Sequence, residues 1–301
     1  MNKDKFLKSD YKPDENTKTE IEEIYKSGES LSGVNLKFAD LKNINLVNAD
    51  LSNANLTKAD LSGASLYGVN LEGANLFKAN FEDANLKAAN LKNCELLGAD
   101  FTNCKLNNVD WDEDYKIKNE RDAEIAKKNG DHDKSMEKYK EAEDIYRSLK
   151  ISLQSQTLGE TTGEFFLKEM IAKRKQMPLF SPLRFASKLT HIAFGYGEKI
   201  GNIFYTIITV LCVCALIYGI NGVDYQNRNL SFFAEDINEY GYLRTFGNLF
   251  YFSVVIFSTV GFGEITPLGF LNKSVMIIEG LIGGIIMSII MIAIYKNLMD
   301  R

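Results

Sequence analysis

The sequence predicts a multidomain membrane protein: a β-solenoid, then an α-helical connector, then an all-α domain with two membrane-spanning helices. Three observations carry that reading. A bulky apolar residue recurs at every fifth position from Leu36 to Trp111. Two long apolar runs, Ile203 to Ile220 and Ser274 to Tyr295, hold a single acidic residue between them, Glu279. Between those runs a shorter apolar stretch ends in a glycine-containing loop, Ser258 to Pro267.

Residues 1–30 read as a cap with a short helix, and Met1-Asn2-Lys3-Asp4-Lys5 lacks an apolar signal region, as a cytoplasmic start requires. Residues 31–112 form the periodic segment. Its series runs through Leu36, Leu41, Leu46 and Leu51 to Phe101, Leu106 and Trp111, and a small or modest apolar residue, mostly Ala, sits two positions before each. Asp or Asn usually lies between the two. A period of five suits neither a 3.6-residue helix nor a two-residue strand, so the chain must coil repetitively. The pattern resembles the pentapeptide-repeat family, which implies a right-handed quadrilateral β-solenoid with four repeats per coil and the Leu, Phe and Ala side chains inside. Sixteen repeats then make a rod roughly 20 Å long. Cys94 and Cys104 occupy Ala positions and read as core fillers, not as a metal pair. Some members of that family are proposed to mimic nucleic acid. Lys37, Lys42, Lys58, Lys78, Lys87, Lys92 and Lys105 nearly balance the acids here, which argues against mimicry and against a nucleic-acid partner.

Residues 113–177 read as the connector. Met136, Tyr139, Ala142, Tyr146, Leu149 and Leu153 share one helical face. A second run around Phe165, Phe166, Met170 and Ile171 follows a break at Leu158-Gly159, which predicts a hairpin of two helices. Its role is either an assembly collar or a site for an unidentified cytoplasmic ligand or protein. Residues 178–199 begin with Pro178 and Pro182, and Leu179 to Phe194 mixes apolar side chains with Arg184 and Lys188. That mixture suits a helix lying at the inner membrane surface; a plain linker is the alternative.

Residues 200–301 form the membrane domain, with spanning helices expected over 202–221 and 271–296. An 18-residue helix rises about 27 Å, close to the thickness of a bilayer core. The stretch from Phe246 to Val260 is too short to cross, so a helix over 245–257 and the loop over 258–263 read as re-entrant. Irregular backbone survives at membrane depth only where protein or a water-filled path surrounds it.

The core Thr259-Val260-Gly261-Phe262-Gly263, flanked in this way, resembles the selectivity filter of the potassium-channel family. The resemblance implies that four chains each contribute one filter strand, whose carbonyls replace the hydration shell of K+. Thr259, Val260, Gly261 and Phe262 would supply the carbonyl rings, with the Thr259 hydroxyl closing the innermost site. Gly261 and Gly263 allow backbone angles that a side chain would forbid. Phe262 stands where many relatives have Tyr, Glu264 where Asp is commoner, and Val255 where some bacterial relatives have Glu. Gly283 matches the hinge glycine of that family's inner helix, or else serves close helix packing. If Gly284 faces the pore, then Met287, Met291 and Tyr295 line the cavity, with Tyr295 near a cytoplasmic constriction. Glu279 is read either as a protonatable brace on the filter or as a structural hydrogen bond to pore-loop backbone.

Orientation follows from charge. Lys168, Lys173, Arg174, Lys175, Arg184, Lys188 and Lys199 precede the first span, and Lys296 and Arg301 follow the second. The loop from Asp224 to Arg244 is acidic. Both termini are therefore expected inside a prokaryotic-type inner or plasma membrane, with lipid as a partner and the pore loop entering from outside. No Arg-rich membrane helix appears, and the chain ends soon after the second span, so regulation is expected from the N-terminal side. A net charge of -5 averages soluble and membrane parts and says little about partners. No phosphate-binding glycine loop, nucleophile–base pair or metalloprotease motif is present, so no enzyme is expected, and no cofactor beyond permeant K+. The reading is a homotetrameric potassium channel; a non-selective cation channel and a membrane-tethered scaffold with a non-conducting pore are the alternatives.

Overall fold

The structure, a computed structural model, describes residues 3–154, 159–226, 228–235 and 237–299. The chain divides into two compact units, one reaching Phe185 and the other running from Ala186 to Met299.

The first unit is built on the five-residue repeat. Isolated parallel bridges join every fifth residue to the one twenty positions on, from Asn35↔Asn55 to Asn90↔Asp110, so four repeats complete one coil. Leu36, Leu71, Ala74, Phe81 and Ala84 are fully buried within the coils, and Phe81 stacks on Phe101 one coil further at 5.4 Å. The corner residue of nearly every repeat adopts a left-handed backbone, as at Asn43 (φ 55) and Gly63 (φ 67). Asn and Gly tolerate that conformation best, which is why they recur there. The residue three before each corner braces it: Asp50 Oδ1 accepts from Ser52 N at 3.1 Å and Asn55 Oδ1 from Thr57 N at 3.2 Å. Side-chain amides also ladder along the rod, Asn90 to Asn70 and Asn70 to Asp50, each at 3.1 Å. The Cys94 and Cys104 thiols are buried in this core, and burial pushes both up to about 12.

Both ends of the coil are covered. Helix α1 (Thr17–Lys26) and Phe6 close the first end, where Ile21, Ile24 and Leu31 are buried together and Asn35 N donates to Phe6 O at 2.6 Å. The other end meets helices α2 (Lys118–Lys128), α3 (His132–Gln154) and α4 (Gly159–Lys175). Phe165 of α4 sits among Trp111, Tyr115 and Tyr146, with ring centroids 5.2, 5.6 and 5.9 Å away. The connector thus has three helices, where the sequence pattern indicated two. Helix α2 buries Asn119, Glu120, Ala123 and Ala126, a face without large apolar residues, so it has no periodic signal to read. Met136 is a second correction: it is 52% exposed, although Tyr139, Ala142, Tyr146, Leu149 and Leu153 of the same expected face are buried. Leu158, at the expected break, lies outside the described residues. Buried Glu169 is explained by two cations, Arg147 Nε at 2.9 Å and Lys150 Nζ at 2.6 Å.

Helix α5 (Pro182–Phe194) leads to a tight corner at Gly195-Tyr196-Gly197. Tyr196 holds that corner by a 2.6 Å hydrogen bond with Ser187 and by stacking on His191. The second unit is then dominated by α6 (Ile200–Asn221) and α9 (Gly269–Met299), both long and apolar enough to cross a membrane. Strands β1 (Val223–Tyr225) and β2 (Arg228–Leu230), the one-turn helix α7 (Ile237–Tyr240) and the 16-residue helix α8 (Tyr242–Phe257) lie between them in sequence. Strand β3 (Ile265–Pro267) follows the glycine loop and pairs antiparallel with β1, giving the sheet order β2-β1-β3. The backbone just after the loop is therefore stitched to the end of α6. Asn272 of α9 reinforces this join, its side-chain amide donating to Tyr218 O at 3.1 Å and Gly222 O at 2.7 Å. Those carbonyls belong to the C-terminal end of α6, where helical partners run out.

Candidate functional site: the loop between two apolar helices

Helix α8 is about 24 Å long and stops at Ser258. The loop hangs from its last turn by backbone bonds: Ser258 N to Val254 O at 2.9 Å, Thr259 N to Ile256 O at 2.9 Å, and Gly261 N to Val255 O at 3.5 Å. Left-handed backbone then falls on alternate residues, Thr259 (φ 59), Gly261 (φ 60) and Gly263 (φ 78). For Gly this conformation is free, but for β-branched Thr259 it is a strained outlier that only surrounding structure can hold. The Val260 and Phe262 side chains are 56% and 63% exposed in the single chain. A cavity of about 360 Å³ opens behind the loop, lined by Tyr251, Phe252, Val255, Ile256, Phe262 and Met276 among others. Glu264 is exposed at the loop's end and Val255 is buried in α8.

Helix α9 places the remaining residues singled out in the sequence. Glu279 is 1% exposed. Its carboxylate accepts the Tyr218 hydroxyl of α6 at 2.6 Å and the Ser253 hydroxyl of α8, and the Cys214 thiol also bonds to it. Its partners are thus side chains on two other helices, whereas one of the two sequence readings had it bonded to pore-loop backbone. Tyr218, Ser253 and Cys214 were not singled out from sequence. The signal available was only that each is a hydroxyl or thiol in an otherwise apolar helix, and a buried acid in the same membrane domain must find such groups.

Gly283 lies one turn beyond Glu279 and is buried. A Cβ there would stand 2.1 Å from the Phe257 carbonyl oxygen and 2.9 Å from its carbon. That geometry gives Gly283 a packing role at the α8–α9 contact. Gly284 has nothing within 4 Å of its would-be Cβ. Gly284, Met287, Met291 and Tyr295 lie within about an 80° arc of α9, and all four are exposed in the single chain. The sequence thus groups them on one face, and the structure leaves that face open.

Comparison with known proteins separates the same two regions. Residues 205–300 match the family model described as an ion channel, and residues 30–68, 54–93 and 70–108 match pentapeptide repeats (8 copies). The chain joins pentapeptide repeats to an ion-channel domain. The channel match and the two apolar helices together make it a membrane protein. Among solved structures it is similar to a pentapeptide repeat protein (Rfr23) from the cyanobacterium Cyanothece 51142, at 42% identity over 26% of this chain and 53% of that one, with a TM-score of 0.26. A pentapeptide repeat protein from Nostoc PCC 7120 is 35% identical over 29% of this chain and 74% of that one, with a TM-score of 0.29. The chain spans about half the length of the first of these. No curated protein matches it.

Proposed function

We propose that the ion-channel domain is a potassium-selective pore formed by four copies of the chain, with α8 and the loop re-entering the membrane from outside and both termini in the cytoplasm. The observation that carries this reading is the backbone of Thr259-Val260-Gly261-Phe262-Gly263. Left-handed residues at 259, 261 and 263 alternate with others at 260 and 262, and such alternation is a backbone that can aim successive carbonyls toward one side of a strand. A row of carbonyls on one side is what a dehydrated cation needs, and one strand cannot surround an ion, so several copies must converge. In this reading the carbonyls of Thr259, Val260, Gly261 and Phe262, with the Thr259 hydroxyl, hold K+, and Gly263 closes the strand. Strain at Thr259, about 1–3 kcal/mol for a residue in such a region, fits a site whose geometry is imposed by its surroundings. Met287, Met291 and Tyr295 line the inner cavity, and lipid covers the outer apolar faces. The repeat-bearing unit serves assembly or gating.

The test is ion flux from liposomes holding the purified protein, with potassium and sodium gradients compared and Gly261→Ala as the control. Potassium-selective flux lost in the variant is the expected result. Equal sodium flux would replace the reading with a non-selective channel, and no flux from intact oligomers would replace it with a scaffold.

A further inference from the structure

Helices α6, α8 and α9 of the channel domain meet at one side chain, and its partners form a register with the loop. Glu279 of α9 receives the Tyr218 hydroxyl of α6 and the Ser253 hydroxyl of α8, and all three residues are at most 1% exposed. The Ser253 hydroxyl also lies 3.1 Å from the Leu211 carbonyl of α6, and the Tyr218 ring packs edge-on against Phe252 of α8 at 4.8 Å. The groups facing the carboxyl are therefore two hydroxyls and the Cys214 thiol, with no cation beside it among the described residues. One turn further along both helices, Gly283 of α9 abuts the Phe257 carbonyl of α8. Glu279 and Gly283 thus grip Ser253 and Phe257, each pair four residues apart, so α8 can neither turn nor slide against α9 without losing both contacts.

The loop begins directly beyond this grip. Helix α8 ends at Phe257, about 6 Å along its axis from Ser253, and the amides of Ser258, Thr259 and Gly261 hang on carbonyls of the same last turn. We propose that Glu279 is a positioning residue for the loop: it fixes α8 against α6 and α9 so that the Thr259–Gly263 carbonyls stay in register, without touching the ion itself. This rests on the channel reading above and names the group that keeps its selective geometry. The bond pattern also states what the site demands. A glutamine can still accept the Tyr218 hydroxyl at its carbonyl oxygen and bond to Ser253 through its amide, whereas leucine at 279 fills the space, takes away the acceptor of the buried Tyr218 hydroxyl and leaves Ser253 only the Leu211 carbonyl.

The experiment compares Glu279→Gln, Glu279→Leu and Ser253→Ala with the unaltered full chain, by permeability ratio in bilayers and by hydrogen exchange of the loop amides in detergent. Glu279→Gln is expected to keep the potassium-to-sodium ratio and slow exchange. Glu279→Leu is expected to lower the ratio and to speed exchange at Ser258, Thr259 and Gly261, each about tenfold, in oligomers of unchanged size, with Ser253→Ala in between. Global weakening would lower protein yield or melting temperature but would not selectively change the ratio or be rescued by glutamine. Unchanged ratio and exchange in Glu279→Leu would overturn the proposal. If the unaltered protein itself fails to select potassium, the channel reading falls, and the exchange measurement alone decides whether Glu279 positions the loop.

Discussion

Replacing Gly283 and its neighbour Gly284 by alanine separates a packing glycine from a hinge glycine by the sign of one number. The added Cβ at 283 would lie 2.1 Å from the Phe257 carbonyl oxygen, 2.9 Å from its carbon and 3.1 Å from its Cα, all backbone atoms that no rotamer can move aside. Ordinary contact begins at 3.4 Å, so α8 and α9 must part by about 1.3 Å, the difference between 3.4 and 2.1 Å. Overpacking of this kind costs about 1–3 kcal/mol. Alanine is also the better helix former by about 1 kcal/mol, a gain common to both sites. The difference between the two variants therefore isolates the steric term. Gly284→Ala is expected to melt at or above the temperature of the unaltered protein in detergent. Gly283→Ala is expected to melt several degrees below Gly284→Ala, at about 2–4 °C per kcal/mol. A hinge role without close packing requires the opposite at 283, because alanine would stiffen the helix at no steric cost. A Gly283→Ala protein that melts as high as Gly284→Ala refutes the packing argument.

Two further outcomes are expected from the repeat-bearing unit. Phe165→Ala should destabilise that unit by about 3–5 kcal/mol, because the ring is fully buried among three aromatic neighbours; protease resistance of the full chain in detergent that matches the unaltered protein would contradict the shared core. Cys94 and Cys104, both pushed up to about 12 by burial, should stay unlabelled by a thiol reagent at pH 8 until the chain is denatured. Their folded values exceed the ordinary 9.0, so the stability they contribute is present below pH 9 and is lost as pH rises toward 12. Peptide mapping of the labelled sites reads this directly, and labelling of either cysteine in native protein at pH 8 would be the contrary result.

What the sequence showed and what it hid divide along physical lines. A five-residue period over sixteen repeats has one structural solution, so Leu36 to Trp111 could be read as a coil without any contact being known. Two long apolar runs with only Glu279 charged between them were equally legible, because length and hydropathy decide whether a helix can span. Helix α2 was not, since Asn119 and Glu120 are buried by specific partners, Glu141 at 2.9 Å and the Tyr146 hydroxyl at 2.6 Å, and polar burial leaves no periodic trace. The surroundings of Glu279 show the same limit. A buried acid announces that partners exist, but Tyr218 lies 61 residues before it and Ser253 lies 26 before it, and no local pattern links them. The antiparallel pairing of Ile265–Pro267 with Val223–Tyr225 was hidden because three-residue strands fall below any reliable alternation.

The junction between coil and connector bears on how the repeats can be assigned a role. Trp111 ends the fivefold series, yet its ring packs on Phe165 of α4, and Ile117 N donates to the Tyr146 hydroxyl at 3.2 Å. Buried residues run without a gap from Phe6 through the coils to Leu149, Phe165 and Ala172 in one core. Removing residues 1–112 would therefore strip one wall from that core and leave Phe165 and its neighbours facing water, so the connector would change along with the repeats. A gating effect after such a cut would not distinguish loss of the coil from damage to α3 and α4. Substitutions on exposed coil residues, such as Phe38 at 57% and Tyr67 at 47% exposure, leave the core intact. Because the coil and helices share that core, a ligand or partner held on the coil acts on a unit that cannot yield locally without unpacking Phe165. Helix α4 of that unit ends at Lys175 and α5 begins at Pro182, so helical hydrogen bonding is interrupted across the segment that holds Pro178.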